Sequence, residues 1–149
     1  MSESHRIAML GTGFIADFYT DTLHSQRSTD RVDTVYSRSA ESGKAFQDKW
    51  TIPNKTNDLN DAVQNDDIDT VIIGLPNHRH MEAIIAAAEA GKAVLCTKPL
   101  GRTTQEALVI LEAVEKAGVF NGYLEDLVYL SLIHISEPTR LLSIAYGGF

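Results

Sequence analysis

AMLGTGFIADF, residues 8 to 18, runs an apolar segment into two glycines spaced two apart and from there directly into an amphipathic stretch. Gly11-Thr12-Gly13-Phe14-Ile15-Ala16 fits a G-x-G-x-x-A pattern, and its place between a predicted strand and a predicted helix lifts it above chance. Each small residue has its own reason to be there. Gly11 permits the tight turn, Gly13 lets a pyrophosphate approach where a Cβ would otherwise stand, and Ala16 lets helix and strand pack closely. The helix start then offers unpaired amides and the positive end of its dipole to the phosphates. Gly11, Thr12, Gly13, Phe14 and Ile15 are therefore the expected dinucleotide-binding residues of this turn. The alternative, a plain turn that tolerates glycine, has to be judged against the rest of the chain.

Outward from that turn, short β-branched runs alternate with amphipathic stretches. RIAML (6–10) is followed by a helical pattern from Phe14 to about Gln26, VDTVY (32–36) by a helix from about Ala40 to Trp50, and an extended piece near Lys55 to Asn57 by a helix from Leu59 to Asn65. DTVIIGL (69–75), a helix from about Met81 to Ala90, AVLCT (93–97), a helix from about Thr104 to Ala117 and VFNGYL (119–124) continue the series. Runs such as VIIGL are apolar at every position, which in a βα chain means a parallel strand covered on both faces. The predicted fold is a Rossmann-type α/β domain, a doubly wound parallel sheet of about six strands. EAGK (89–92) and KAGV (116–119) place a glycine between helix and strand, the usual left-handed helix stop.

Bulk composition narrows the function classes. At 149 residues the chain has the length of one ordinary domain. A net charge of −7, with no cluster of Lys or Arg, lacks the basic stripe that a nucleic-acid partner needs. Cys96 is the only cysteine, so no internal disulfide and no cysteine zinc cage is expected, and its place in a predicted strand suggests packing. His78 and His80 stand two apart, do not share a helix face and have no third ligand nearby, so no metal site is predicted. The N-terminus has no signal-peptide core and no run reaches membrane-spanning length; a cytoplasmic protein with no membrane partner is expected.

The choice of dinucleotide turns on the end of the second strand, where an NAD site places a carboxylate against the ribose hydroxyls. Ser37 and Arg38 stand there instead, and the nearest acid, Asp33, is at the strand's start. Arg38 with the Ser37 and Ser39 hydroxyls suits a 2′-phosphate, so the reading favours NADP over NAD. The other reading of SRSAE is a helix cap at Ser39 beside a solvated arginine. The missing carboxylate also counts against S-adenosylmethionine, whose sites want an acid at the same place.

Ligands of an open parallel sheet lie beyond the strands' carboxyl ends, which makes LPNHRH (75–80) and CTKPLGRTTQEA (96–107) the remaining segments of interest. Together with GTGFIA, SRSAE, AGKAVLCTKPL and GYLEDLVY, from about Arg6 to Tyr129, they resemble the N-terminal domain of the Gfo/Idh/MocA family of glucose-fructose oxidoreductases and inositol dehydrogenases. That resemblance implies hydride transfer between a nicotinamide and a sugar, cyclitol or related polyol. It implies Lys98 as the catalytic residue, in the family's E-K-P motif, with Leu75, Pro76, Asn77, His80, Lys98, Pro99 and Glu125 on the cofactor. The chemistry agrees: oxidising a carbinol sends a hydride to the ring and a proton to a base, and burial beside a positive ring favours a neutral, proton-accepting amine. Thr97 replaces the motif's glutamate. An exposed lysine at a strand end is the plain alternative for Lys98, turn chemistry for Pro76 and Asn77, and surface charge for Glu125. Asp126 and Tyr129 match the segment that leads into the family's second domain.

The character of the chain changes after Tyr129. LSLIHISEPTR (130–140) agrees at all eleven positions with the translation of an adapter used in transposase-based sequencing libraries, and IAYGGF (144–149) resembles that adapter's next constant block. The expected organisation is an NAD(P)-binding domain at 1–129 followed by a non-native tail at 130–149. The family's second domain, and its substrate face, would then be missing and the fragment inactive, while the complete enzyme leaves room for a homo-oligomer. A non-catalytic nucleotide-binding or redox-sensing module is the alternative function, because fold alone does not establish activity.

Overall fold

Strand β1 (Arg6–Leu10) buries every residue after Arg6, because helices cover both of its faces. Ala8 and Leu10 enter one core, Ile7 and Met9 the other, the period-two alternation of a central strand. A computed structural model describes residues 4–26 and 29–125. Within them β1, β2 (Arg31–Tyr36), β3 (Asn54–Thr56), β4 (Thr70–Ile73), β5 (Ala93–Thr97) and β6 (Asn121–Leu124) form one sheet, ordered β3-β2-β1-β4-β5-β6. All five neighbouring pairs are parallel. The chain winds outward from β1 to β3 and then outward again from β4 to β6, so the direction of winding reverses between β1 and β4.

The helices divide accordingly. α1 (Phe14–Gln26) and α2 (Ala40–Trp50) lie on one face, where Ala16 and Phe46 pack on Ile7, Met9, Val35 and Ile72. α3 (Leu59–Gln64), α4 (His80–Glu89) and α5 (Thr104–Ala117) lie on the other, where Val63, Ile84 and Ile110 meet Leu10, Val71, Ile73 and Val94. The expected doubly wound parallel sheet is the observed one. Side chains of Ser39, Asp58 and Thr103 cap α2, α3 and α5 by accepting from the amides of Ser42, Asn60 and Glu106. Gly91 and Gly118 adopt the left-handed conformation after α4 and α5, as the two glycine stops require.

Boundaries differ from the sequence reading in ways that bear on the site. β4 ends at Ile73, so Gly74 and Leu75 leave the strand, and α4 begins at His80 after a 3-10 turn over Asn77–Arg79. At the opposite end of the sheet Asp33 binds Arg6 at 2.9 Å and Asn54 at 3.0 Å. Burial pushes the Asp33 carboxyl up, but the hydrogen bonds from Arg6, Asn54 and Thr34 outweigh it and hold the group below its ordinary value. This acid is committed far from the carboxyl edge. No helix among the described residues is long and apolar enough to cross a membrane.

One buried side-chain atom in this core lacks a hydrogen-bond partner among the described residues, the Thr20 hydroxyl on α1. Leaving such a group unsatisfied costs about 1–3 kcal/mol, and an apolar residue of the same shape removes that cost. Thr20→Val is expected to raise unfolding stability by about 1 kcal/mol, read as a higher urea midpoint with an unchanged slope.

Candidate functional site

Beyond the strands' carboxyl ends the predicted residues form a row. Ser37 and Arg38 follow β2, Gly11 to Ile15 follow β1, Gly74 to Asn77 follow β4, Lys98 and Pro99 follow β5, and Glu125 follows β6. With strands about 4.8 Å apart, the row from β2 to β6 is about 19 Å long. Its length suits an extended ligand. A cleft of about 620 Å³ opens over the β2, β1 and β4 part, lined by Gly11 to Ile15, Ser37 to Ser39, and Gly74 to Pro76. The cleft therefore sits at the point where the winding reverses, the general ligand position of open α/β sheets.

The two glycines of the first turn serve different ends. Gly11 has φ 119°, and a Cβ on it would stand 2.6 Å from the Gly74 carbonyl oxygen. Fold alone demands glycine there. Gly13 is the reverse case: a Cβ on it would meet no atom of the protein within 4 Å. Among the described residues nothing fills that space, which is the expected property of a surface kept bare for a ligand. Gly13 also precedes α1 and has no side chain with which to cap it, so the first-turn amides get no cap from that residue. The apolar side chains of Phe14, 82% exposed, and Ile15, 37% exposed, stand beside them in the cleft.

At the β2 end Ser37 is only 7% exposed. Its amide donates to Thr56 O at 3.1 Å, its carbonyl accepts from Asn57 Nδ2 at 2.5 Å, and its hydroxyl lies 3.4 Å from Thr12 Oγ1. Ser39 is spent on its cap, the amide of Ser42 at 3.2 Å. Arg38 is exposed on the rim of the cleft and has no hydrogen-bond or ion-pair partner among the described residues. Among the described residues no carboxylate lines this part of the cleft.

At the β4 and β5 end, Leu75 and Pro76 line the cleft, Asn77 is exposed at the start of the 3-10 turn, and Lys98 is exposed. Lys98 lies in the open with no partner among the described residues, where partial burial was expected. Thr97, in the place of the motif's acid, is buried and donates its hydroxyl to Ile73 O at 2.9 Å. His80 departs from the expectation of a direct contact. Its ring has 0% exposure and is enclosed, Nδ1 lying 2.7 Å from Pro99 O and Nε2 2.8 Å from Leu75 O. Burial pushes the neighbouring Cys96 thiol up to about 12, which keeps it protonated and inert. Glu125 is half-buried just after β6, outside the cleft lining. Asp126, Tyr129 and 130–149 lie outside the described residues.

Gly74 is the cleft-lining residue that sequence reading passed over. Its backbone takes the close approach of Gly11, and a Cβ on it would lie 3.4 Å from Ala16 N. A glycine inside an apolar strand run was the available signal. Among the described residues no group of three or more His, Cys, Asp or Glu is placed to hold a metal ion.

Comparison with known proteins agrees with this geometry. Residues 5–123 match the family model described as oxidoreductase family, NAD-binding Rossmann fold (GFO_IDH_MocA). Levoglucosan dehydrogenase of Pseudarthrobacter phenanthrenivorans is 44% identical over 102 residues, 64% of this chain and 26% of the relative. The scyllo-inositol 2-dehydrogenase (NADP(+)) of Bacillus subtilis is 32% identical over 114 residues, 76% of this chain and 34% of the relative. The chain thus spans about a quarter to a third of these relatives' length. The structure of scyllo-inositol dehydrogenase from Lactobacillus casei with bound NAD(H) and scyllo-inositol superposes with TM-score 0.78 at 17% identity, covering 92% of this chain and 42% of that one. The family model spans the glycine turn and the sheet behind it: this chain belongs to the Gfo/Idh/MocA family of NAD-binding Rossmann oxidoreductases.

Proposed function

We propose that this chain is the cofactor-binding part of an NADP-dependent oxidoreductase that moves a hydride between nicotinamide and a hydroxyl-bearing carbon of a sugar, cyclitol or related polyol. The observation that carries the cofactor choice is the rim of the cleft at β2, where among the described residues Arg38 stands without a partner and no carboxylate lines the cleft. A 2′-phosphate meets there a guanidinium able to bind it through two parallel hydrogen bonds, with the Ser37 hydroxyl beneath. The bare space at Gly13 supports a diphosphate in the cleft, which the amides of the first turn of α1 would hold.

The cofactor supplies the two-electron acceptor or donor, and the rest of the chemistry falls to side chains. Leu75, Pro76 and Asn77 support the end of the row nearest Lys98. Lys98 holds the substrate hydroxyl and carries its proton at Nζ. With Thr97 buried against Ile73, Lys98 has no acid from the preceding residue to work with, and its proton passes to solvent or to groups the substrate brings. The remaining substrate face belongs to the length that the relatives have beyond the matched region. On this reading the chain binds cofactor and does not turn over by itself. The same buried Thr97 favours the second reading, a nucleotide-binding module without chemistry, which predicts that cofactor binds but that Lys98→Met in the complete protein changes no rate.

Titration of the chain with reduced cofactors, followed by calorimetry, is expected to give a dissociation constant at least tenfold lower for NADPH than for NADH, with Arg38→Ala removing that difference. A tenfold preference for NADH would overturn the NADP assignment. The two glycines are separable in the same assay. Gly13→Ala is expected to cost less than about 1 kcal/mol of stability yet to weaken NADPH at least tenfold. Gly11→Ala, driven into Gly74, is expected to lose about 2–3 kcal/mol of stability in a thermal melt.

A further inference from the structure

His80 is fully buried and does not itself line the cleft, yet it joins the two loops on which the site's β4 and β5 end depends. Its Nε2 faces Leu75 O at 2.8 Å, in the loop after β4, and its Nδ1 faces Pro99 O at 2.7 Å, in the loop after β5. A carbonyl oxygen only accepts, so a hydrogen bond at either loop draws on an N–H of this ring, and Cys96 Sγ lies 3.5 Å from Nδ1 on the same side as Pro99 O. The ring itself is fixed from below. His80 is the first residue of α4, whose Ala83, Ile84 and Ala87 are locked in the core.

Lys98 sits between two tied neighbours. On one side the Thr97 hydroxyl donates to Ile73 O at 2.9 Å, and on the other Pro99 O is held by His80. We infer that His80 is a positioning residue: it sets the distance between the Leu75–Asn77 loop and Lys98, and so determines how firmly the nicotinamide half of the cofactor is held, without touching the cofactor. This rests on the dinucleotide reading above. The adenosine half, bound at β1 and β2, is outside its reach.

That division gives a test that a merely structural role would not pass. NADPH and its adenosine half, adenosine 2′,5′-bisphosphate, are titrated into the full chain, with NADH and ADP as the parallel pair, and the measurement is repeated on three variants. His80→Leu keeps bulk and removes both hydrogen bonds. His80→Gln keeps a donor near the Nε2 position and His80→Asn one near Nδ1. The expected result is a loss of about tenfold in affinity for the dinucleotide in His80→Leu, with less than twofold for the adenosine half, and intermediate losses for Gln and Asn. Equal losses for both members of a pair, or no loss in any variant that melts cooperatively, would overturn the inference. So would equal affinity of the wild-type chain for a dinucleotide and its adenosine half. Failure of the wild-type chain to bind either dinucleotide would instead overturn the functional reading on which the inference stands.

Discussion

The site depends on one backbone-to-backbone contact. The turn after β1 and the end of β4 press together so closely that a Cβ on Gly11 would stand 2.6 Å from Gly74 O. Two glycines that follow different strands let α1 begin directly over the reversal point of the sheet, with Ala16 as the small residue against Gly74. Were either turn bulkier, the start of α1 would be lifted off the sheet edge. The amides that face the cleft would then point elsewhere.

From that contact the rest of the row follows by strand order. Because β2 and β4 flank β1 and β5 lies beyond β4, the residues after each strand are spaced by the sheet itself, with Arg38 at one end and Lys98 toward the other. The sheet is a ruler about 4.8 Å to the division. Fine adjustment is made by side chains beneath the row: Thr97 ties the end of β5 to Ile73, Asn57 holds the Ser37 carbonyl, and His80 links Leu75 with Pro99. None of these needs to meet a ligand in order to affect one.

Much of this was legible in the sequence, because the strongest signals are local. Gly11, Gly13 and Ala16 carry their reasons in their spacing, the alternation of VIIGL-like strands with amphipathic helices specified a doubly wound sheet, and EAGK and KAGV marked helix ends that Gly91 and Gly118 occupy. What was not legible depends on distance in space. Gly74 read as part of a strand, since nothing in its neighbourhood announces that Gly11 will lie against it. His80 read as a cofactor contact, since a histidine after a proline turn shows its type and not its orientation; its two carbonyl partners lie 5 and 19 residues away. Thr97 read as a lost acid, whereas its hydroxyl has a bond of its own to Ile73.

The most direct measurement is the structure of this chain with NADPH bound. The account predicts diphosphate oxygens within about 3 Å of the amides of Gly13 to Ile15, the 2′-phosphate against Arg38, and the nicotinamide directed along the row toward Lys98. A diphosphate seated away from Gly13, leaving that bare space unfilled, would contradict it.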